Sequence, residues 1–138
     1  MAVTPAQMTT VSTQEFVGVY WRGDQHGQGC AEASSMEGLP GADPDDWYLN
    51  RIVITPPECR GSGIGGEMIE RLKLRVAKGG GRRLLVEPGG YDSDLGVQVR
   101  FYEKHGFKRT GADHLWVCEL LLGKVSGPGY DQNGMSAR

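Results

Sequence analysis

The sequence has no apolar run approaching the roughly 20 residues that a membrane-spanning helix requires. Met1 to Thr13 also lacks the charged-then-apolar order of a signal peptide. Cysteine is scarce: Cys30, Cys59 and Cys118 are widely separated, odd in number and form no CxxC pair. A disulfide framework and a zinc site are therefore not expected, and a reducing cytoplasm fits best. Neither sign of charge dominates, and the net charge of −2 gives no overall pull toward nucleic acid. The local cluster Arg71, Lys73, Arg75, Lys78, Arg82 and Arg83 reads as the solvated face of a helix and its following loop.

What is present suits one globular domain. The chain has 138 residues, 38% hydrophobic and 23% charged, enough to bury a single core. Residues 1–122 read as that domain and residues 123–138 as a polar, flexible tail. The 22 glycines cluster at turns and do not recur with a period, which excludes repeat architectures.

Residues 1–13 are polar and commit to no element. Glu15 to Arg22 is rich in β-branched and aromatic residues and predicts a strand. Residues 23–46 read mostly as loop, with a short strand near Cys30 to Ser35. Trp47 to Thr55 predicts an interior strand stopped by Pro56-Pro57. Ile64, Met68, Leu72 and Val76 then recur every fourth residue among charged neighbours, the pattern of an amphipathic helix ending at Gly79-Gly80-Gly81. Arg83 to Glu87 predicts a strand. A second helix, capped by Ser93 or Asp92, runs to about His105, with Leu95, Val99 and Tyr102 on one face and Gly106 closing it. His114 to Leu122 predicts a buried final strand. The order implies a mixed α/β sheet carrying helices.

The most informative stretch is Arg60-Gly61-Ser62-Gly63-Ile64-Gly65-Gly66, between a strand and a helix. Such a turn gathers backbone N–H groups at the positive end of a helix dipole, a site for a phosphate or diphosphate. The nucleoside-triphosphate loop is excluded, because Gly66-Glu67-Met68 stands where its Lys-Ser/Thr pair is needed. A dinucleotide turn matches Gly61, Gly63 and Gly66, with Glu87 as the ribose-binding acid. The spacing of 26 from Gly61 to Glu87 exceeds the usual value of about 20, and little chain follows.

Arg60-Gly61-Ser62-Gly63-Ile64-Gly65 resembles the acetyl-coenzyme A loop of the GNAT N-acetyltransferase superfamily, Gln/Arg-x-x-Gly-x-Gly/Ala. Further on, Phe101-Tyr102-Glu103-Lys104-His105-Gly106-Phe107 matches the family's second signature, in the family's order and at a similar spacing. The resemblance runs from Trp47 to Leu122. It implies a GNAT-like α/β (α+β) fold: a mixed, mostly antiparallel sheet with a splayed central strand pair and flanking helices. The chain upstream is too short for the family's usual two helices, so a shortened N-terminal half is expected.

By that resemblance, backbone groups of Val53, Ile54 and Thr55 would bond the pantetheine of acetyl-CoA. Arg60, Gly61, Ser62, Gly63, Ile64 and Gly65 would hold its pyrophosphate. Tyr102 stands at the position of the family's general acid. Glu87 is the first candidate for general base, with Asp92 and Glu32 behind it. Many relatives carry Asn and Ala where this chain has Leu95 and Gln98, so the Asn contact is lost or supplied by Asp92, Ser93 or Asp94. His26 and His105 read as solvated, His114 as the start of a strand with no partner signal, Cys118 as core, and Asp43, Asp45 and Asp46 as a solvated loop. The implied function is acetyl transfer from acetyl-CoA to a small-molecule or peptide amine, with no metal, membrane or nucleic-acid partner and with a homodimer possible. Two alternatives use the same turn: a non-catalytic acyl-CoA-binding module and a dinucleotide-binding domain.

Overall fold

The structure, a computed structural model, describes residues 7–23, 27–61, 63–89, 95–111 and 114–120. Among them the chain builds β1 (Met8–Ser12), β2 (Phe16–Arg22), β3 (Gln28–Ser35), β4 (Asp46–Thr55), a single 3-10 turn (Pro57–Cys59), α1 (Ile64–Lys78), β5 (Arg83–Val86), α2 (Leu95–Lys104), β6 (Lys108–Arg109) and β7 (Trp116–Glu119). The seven strands form one sheet in the order β1-β2-β3-β4-β5-β7-β6. Every neighbouring pair is antiparallel except β4 and β5. That mixture contradicts a dinucleotide domain, which is built on a mostly parallel sheet.

Val17, Val19 and Trp21 of β2 and Ala31 and Ala33 of β3 point to one face, where they are buried. On α1, Ile64, Met68, Ile69, Leu72 and Val76 form a continuous apolar stripe, all buried against that face. The alanines are small enough to let the helix lie close. Truncating Leu72 to Ala would cost about 2–5 kcal/mol, because α1 is the lid of the core.

The β3–β4 pairing slips by one residue. Glu32 faces Arg51 but Ala33 faces Leu49, so Asn50 is the extra residue of a β-bulge. Its amide donates to Ser34 Oγ at 2.7 Å.

Both helices end in the same motif. At α1 the Gly81 N–H bonds to the Val76 carbonyl and the Gly80 N–H to Ala77, with Gly80 at φ +98°. At α2 Phe107 bonds to Tyr102 and Gly106 to Glu103, with Gly106 at φ +91°. These are Schellman closures, which need a left-handed residue that glycine supplies without strain.

Several expectations are corrected. Residues 8–12 form an edge strand, β3 is a full strand beginning at Gln28, and β6 adds a short rung. Leu95 is 56% exposed and does not share the buried face of Tyr102. Asp46 is buried and bonded to Arg83, so it is not part of a solvated loop. His105 is only 12% exposed at its side chain. Its Nδ1 meets Glu70 Oε2 at 2.6 Å, while Lys73 Nζ donates to its carbonyl at 2.7 Å, docking the end of α2 on α1. The proposed caps Asp92 and Ser93, His26, and residues 121–138 lie outside the described residues.

Candidate active site

β4 and β5 pair over only three rungs, Asp46 with Arg83, Trp47 with Leu84 and Tyr48 with Leu85. β4 continues to Thr55, and residues 49–55 have no strand partner on that edge among the described residues. The two strands therefore part, leaving β4 backbone groups facing a gap. Strand groups that lie beyond the end of a ladder can serve as acceptors and donors for an extended ligand.

The glycine turn closes the far end of that gap. Gly61 has φ +84° and Gly63 φ +89°, and a Cβ at either would meet nothing within 4 Å. Backbone conformation therefore calls for glycine here, and the loop's outer side is open. Gly63 is the N-cap of α1 and offers no side-chain cap. Glu67 N–H already bonds to the Gly63 carbonyl, which leaves the amides of Ile64, Gly65 and Gly66 without intrahelical acceptors. Three amides at the positive end of a 15-residue helix suit a diphosphate.

Arg60 lies at the mouth of the turn, and its Nε donates to the Ile54 carbonyl at 3.1 Å. It therefore ties the turn to β4. Val53 and Thr55 border an open cavity, whereas Ile52 and Ile54 pack against the core. Ile64 is buried through its side chain and can offer only its amide. Ser62 lies outside the described residues.

The two sequence motifs meet in space. A Cβ on Gly65 would lie 3.5 Å from Phe101, and one on Gly66 would lie 3.1 Å from the His105 ring. The glycines thus serve a second purpose, letting α2 settle against the first turn of α1. Tyr102 follows Phe101, is 6% exposed and packs edge-on between Phe101 and Phe107, with ring centroids 5.5 and 5.4 Å away. Glu87 follows the last residue of β5. It is exposed, with His114 Nε2 4.0 Å from its Oε2. His114 thus has a carboxylate neighbour that the sequence did not signal.

Gln98 was not singled out as a site residue, yet its Oε1 accepts from the Gly89 N–H at 2.7 Å, tying the loop after β5 to α2. Burial pushes the Cys118 thiol up, against the pull of Lys73, which fits a core thiol and not a nucleophile.

On the sheet face turned away from α1 lies a cavity of about 870 Å³. Tyr20, Glu32 and Arg51 line it. The Tyr20 hydroxyl donates to Glu32 Oε2 at 2.7 Å, and Arg51 Nε sits 3.4 Å from Glu32 Oε1. Gly18, the cross-strand partner of Glu32, makes this possible, since a Cβ there would lie 2.4 Å from the Tyr20 hydroxyl. Burial, then the bond to Glu32, pushes the Tyr20 phenol up to about 12. Alternation around Glu32, with Ala31 and Ala33 buried on the other face, is the sequence signal that marks it as outward-facing.

Among the described residues no helix is long and apolar enough to cross a membrane, and no group of three or more metal-ligating side chains occurs.

A sequence search of curated proteins finds no match. Solved structures share the fold. The PaiA N-acetyltransferase of Thermoplasma acidophilum, in complex with coenzyme A, is 19% identical with a TM-score of 0.57, over 76% of this chain and 61% of that one. The aminoglycoside 6'-N-acetyltransferase of Enterococcus faecium is 21% identical with a TM-score of 0.58, over 78% and 76%. The IAA acetyltransferase of Bacillus cereus is 15% identical with a TM-score of 0.60, over 78% and 79%. The family model for the acetyltransferase (GNAT) domain matches residues 13–109, most of the chain, and with the parted strands and the glycine turn it identifies this protein as a member of the GNAT acetyltransferase family.

Proposed function

We propose that this protein transfers the acetyl group of acetyl-CoA to a primary amine. The observation that carries the reading is the gap between β4 and β5, with the glycine turn and the first-turn amides of α1 at its open end. Bound acetyl-CoA supplies an activated thioester, whose C–S bond breaks as the amine nitrogen forms the new C–N bond. Backbone groups of Val53, Ile54 and Thr55 hold the pantetheine arm. Arg60, Gly61, Ser62, Gly63, Ile64 and Gly65 hold the diphosphate, the glycines by their amides and Arg60 by its charge and its tie to Ile54.

Protons need two handlers. Tyr102 gives its phenolic proton to the departing thiolate, and its rigid setting between two aromatic rings suits a positioned acid. Glu87, exposed at the end of β5, takes a proton from the incoming amine. The coenzyme A complex of the Thermoplasma protein supports the cofactor. The aminoglycoside enzyme supports a small amine as acceptor.

The test is free-thiol release from acetyl-CoA on addition of a panel of amines, beside calorimetric titration with coenzyme A and NAD. Thiol release that depends on an amine is the expected result. Coenzyme A binding with no release on any amine would leave a non-catalytic module, and preferential NAD binding would end the reading.

A further inference from the structure

Resting on the acetyl-transfer reading, we infer that the acceptor site is the cavity on the helix-free face of the sheet, and that it selects amines that also carry a carboxylate. The glycine turn leads into α1, which covers one face, so the cofactor enters the gap from that side. The acceptor then reaches the gap from the other face, where no residue of either helix lines the cavity among the described residues. β4 is the shared wall. Ile52 and Ile54 turn toward the α1 side, and Arg51, Val53 and Thr55 toward the cavity.

Charge is arranged along this trough. Glu32 pairs with Arg51 on β4, near the end where β4 and β5 meet. Its carboxylate is fixed by Tyr20 on one oxygen and neighboured by Arg51 on the other. A carboxylate has about four acceptor positions, so it keeps capacity for an ammonium group. Arg51 offsets much of that charge, which leaves Arg22 as the further cation on the lining. Glu32 pairs with Gly18 and Gln28 with Arg22, so the two charged positions lie four residues apart, roughly 13 Å along the strands. Both side chains are long enough to shorten that span considerably. A ligand with an ammonium at one end and a carboxylate at the other matches the order of charges; a simple alkylamine leaves Arg22 unused.

The test compares short ω-amino acids of increasing chain length with the alkylamines of the same length, reading thiol release from acetyl-CoA. Wild-type protein should prefer at least one ω-amino acid by about tenfold in kcat/KM. Arg22→Gln should abolish the preference, and Glu32→Gln should raise KM for amines of both kinds while coenzyme A affinity, measured by calorimetry, stays unchanged. Thiol release without any preference for the carboxylate, or a preference that survives Arg22→Gln, would overturn this inference alone. No thiol release with any amine would sink the acetyl-transfer reading and this inference with it.

Discussion

Arg83 donates to both carboxylate oxygens of Asp46, Nε to Oδ1 at 2.8 Å and Nη2 to Oδ2 at 2.6 Å, across the first rung of the β4–β5 pair. These bonds hold the guanidinium above its ordinary range, so it remains charged throughout. The pair fastens the closed end of the gap that opens beyond Tyr48. Its side chains are unequal in exposure, 6% for Asp46 and 41% for Arg83. Removing Arg83 strands a buried carboxylate, whereas removing the charge of Asp46 leaves a guanidinium that reaches water. Arg83→Met should therefore cost about 2–3 kcal/mol and Asp46→Asn about 1 kcal/mol in urea unfolding. Equal losses would show that the carboxylate is better solvated than its burial implies.

Gly81 is a packing requirement. A Cβ there would lie 2.4 Å from Val76 Cγ1 and 2.8 Å from Trp47 Cδ1. Gly81→Ala should cost about 1–3 kcal/mol through overpacking. Gly80→Ala meets nothing within 4 Å but suffers from φ +98°, so its cost is backbone strain of about 1–2 kcal/mol. Thermal melts of the two variants, with Val76→Ala in each background, separate the causes: the smaller Val76 rescues the Gly81 variant only.

Tyr102→Phe keeps the ring and its two aromatic neighbours. Turnover should fall by about a hundredfold or more while coenzyme A affinity holds. Glu87→Gln should lower the rate more at neutral than at alkaline pH, where the incoming amine is already neutral and needs no base. Steady-state rates beside calorimetric affinities check both, and an unaltered rate for Tyr102→Phe would remove it as the acid.

Alkaline titration tests the Tyr20–Glu32 contact. Tyr20 is raised from 10.0 to about 12, so the neutral phenol favours the folded state below pH 10. That contribution is lost as pH rises from about 10 toward 12, because the unfolded chain releases this proton first. Phenolate absorbance should show a late component that Tyr20→Phe deletes. If every tyrosine titrates near 10, the bond to Glu32 is absent in solution.

Much of this fold could be read from local pattern. Ile64, Met68, Leu72 and Val76, spaced by four, are all buried on one side of α1. Gly106 closes α2 as its position suggested. β1 was invisible because only Met8 of its five residues is buried; Thr9, Thr10 and Val11 are exposed at a sheet edge and carry no core alternation. Asp46 and His105 were misread because their partners, Arg83 and Glu70, lie 37 and 35 residues away. The glycine turn was legible because conformation demands glycine at two of its positions. The parting of β4 and β5 was not legible from the residues themselves, since it depends on long-range register; only the family resemblance suggested it.

The bulge at Asn50 decides which side of β4 is inside. Before it Trp47 and Leu49 point to the core; after it Ile52 and Ile54 do, and Arg51 and Val53 point to the cavity. Without a bulge, strict alternation from Leu49 through Asn50 would turn the Arg51 guanidinium inward and the two isoleucines out. The bulge thus absorbs one surplus residue: exchanging Asn50 for another polar residue should be mild, and deleting it leaves Leu49, Arg51, Ile52, Val53 and Ile54 in simple alternation with the interior and the ligand-facing wall both kept.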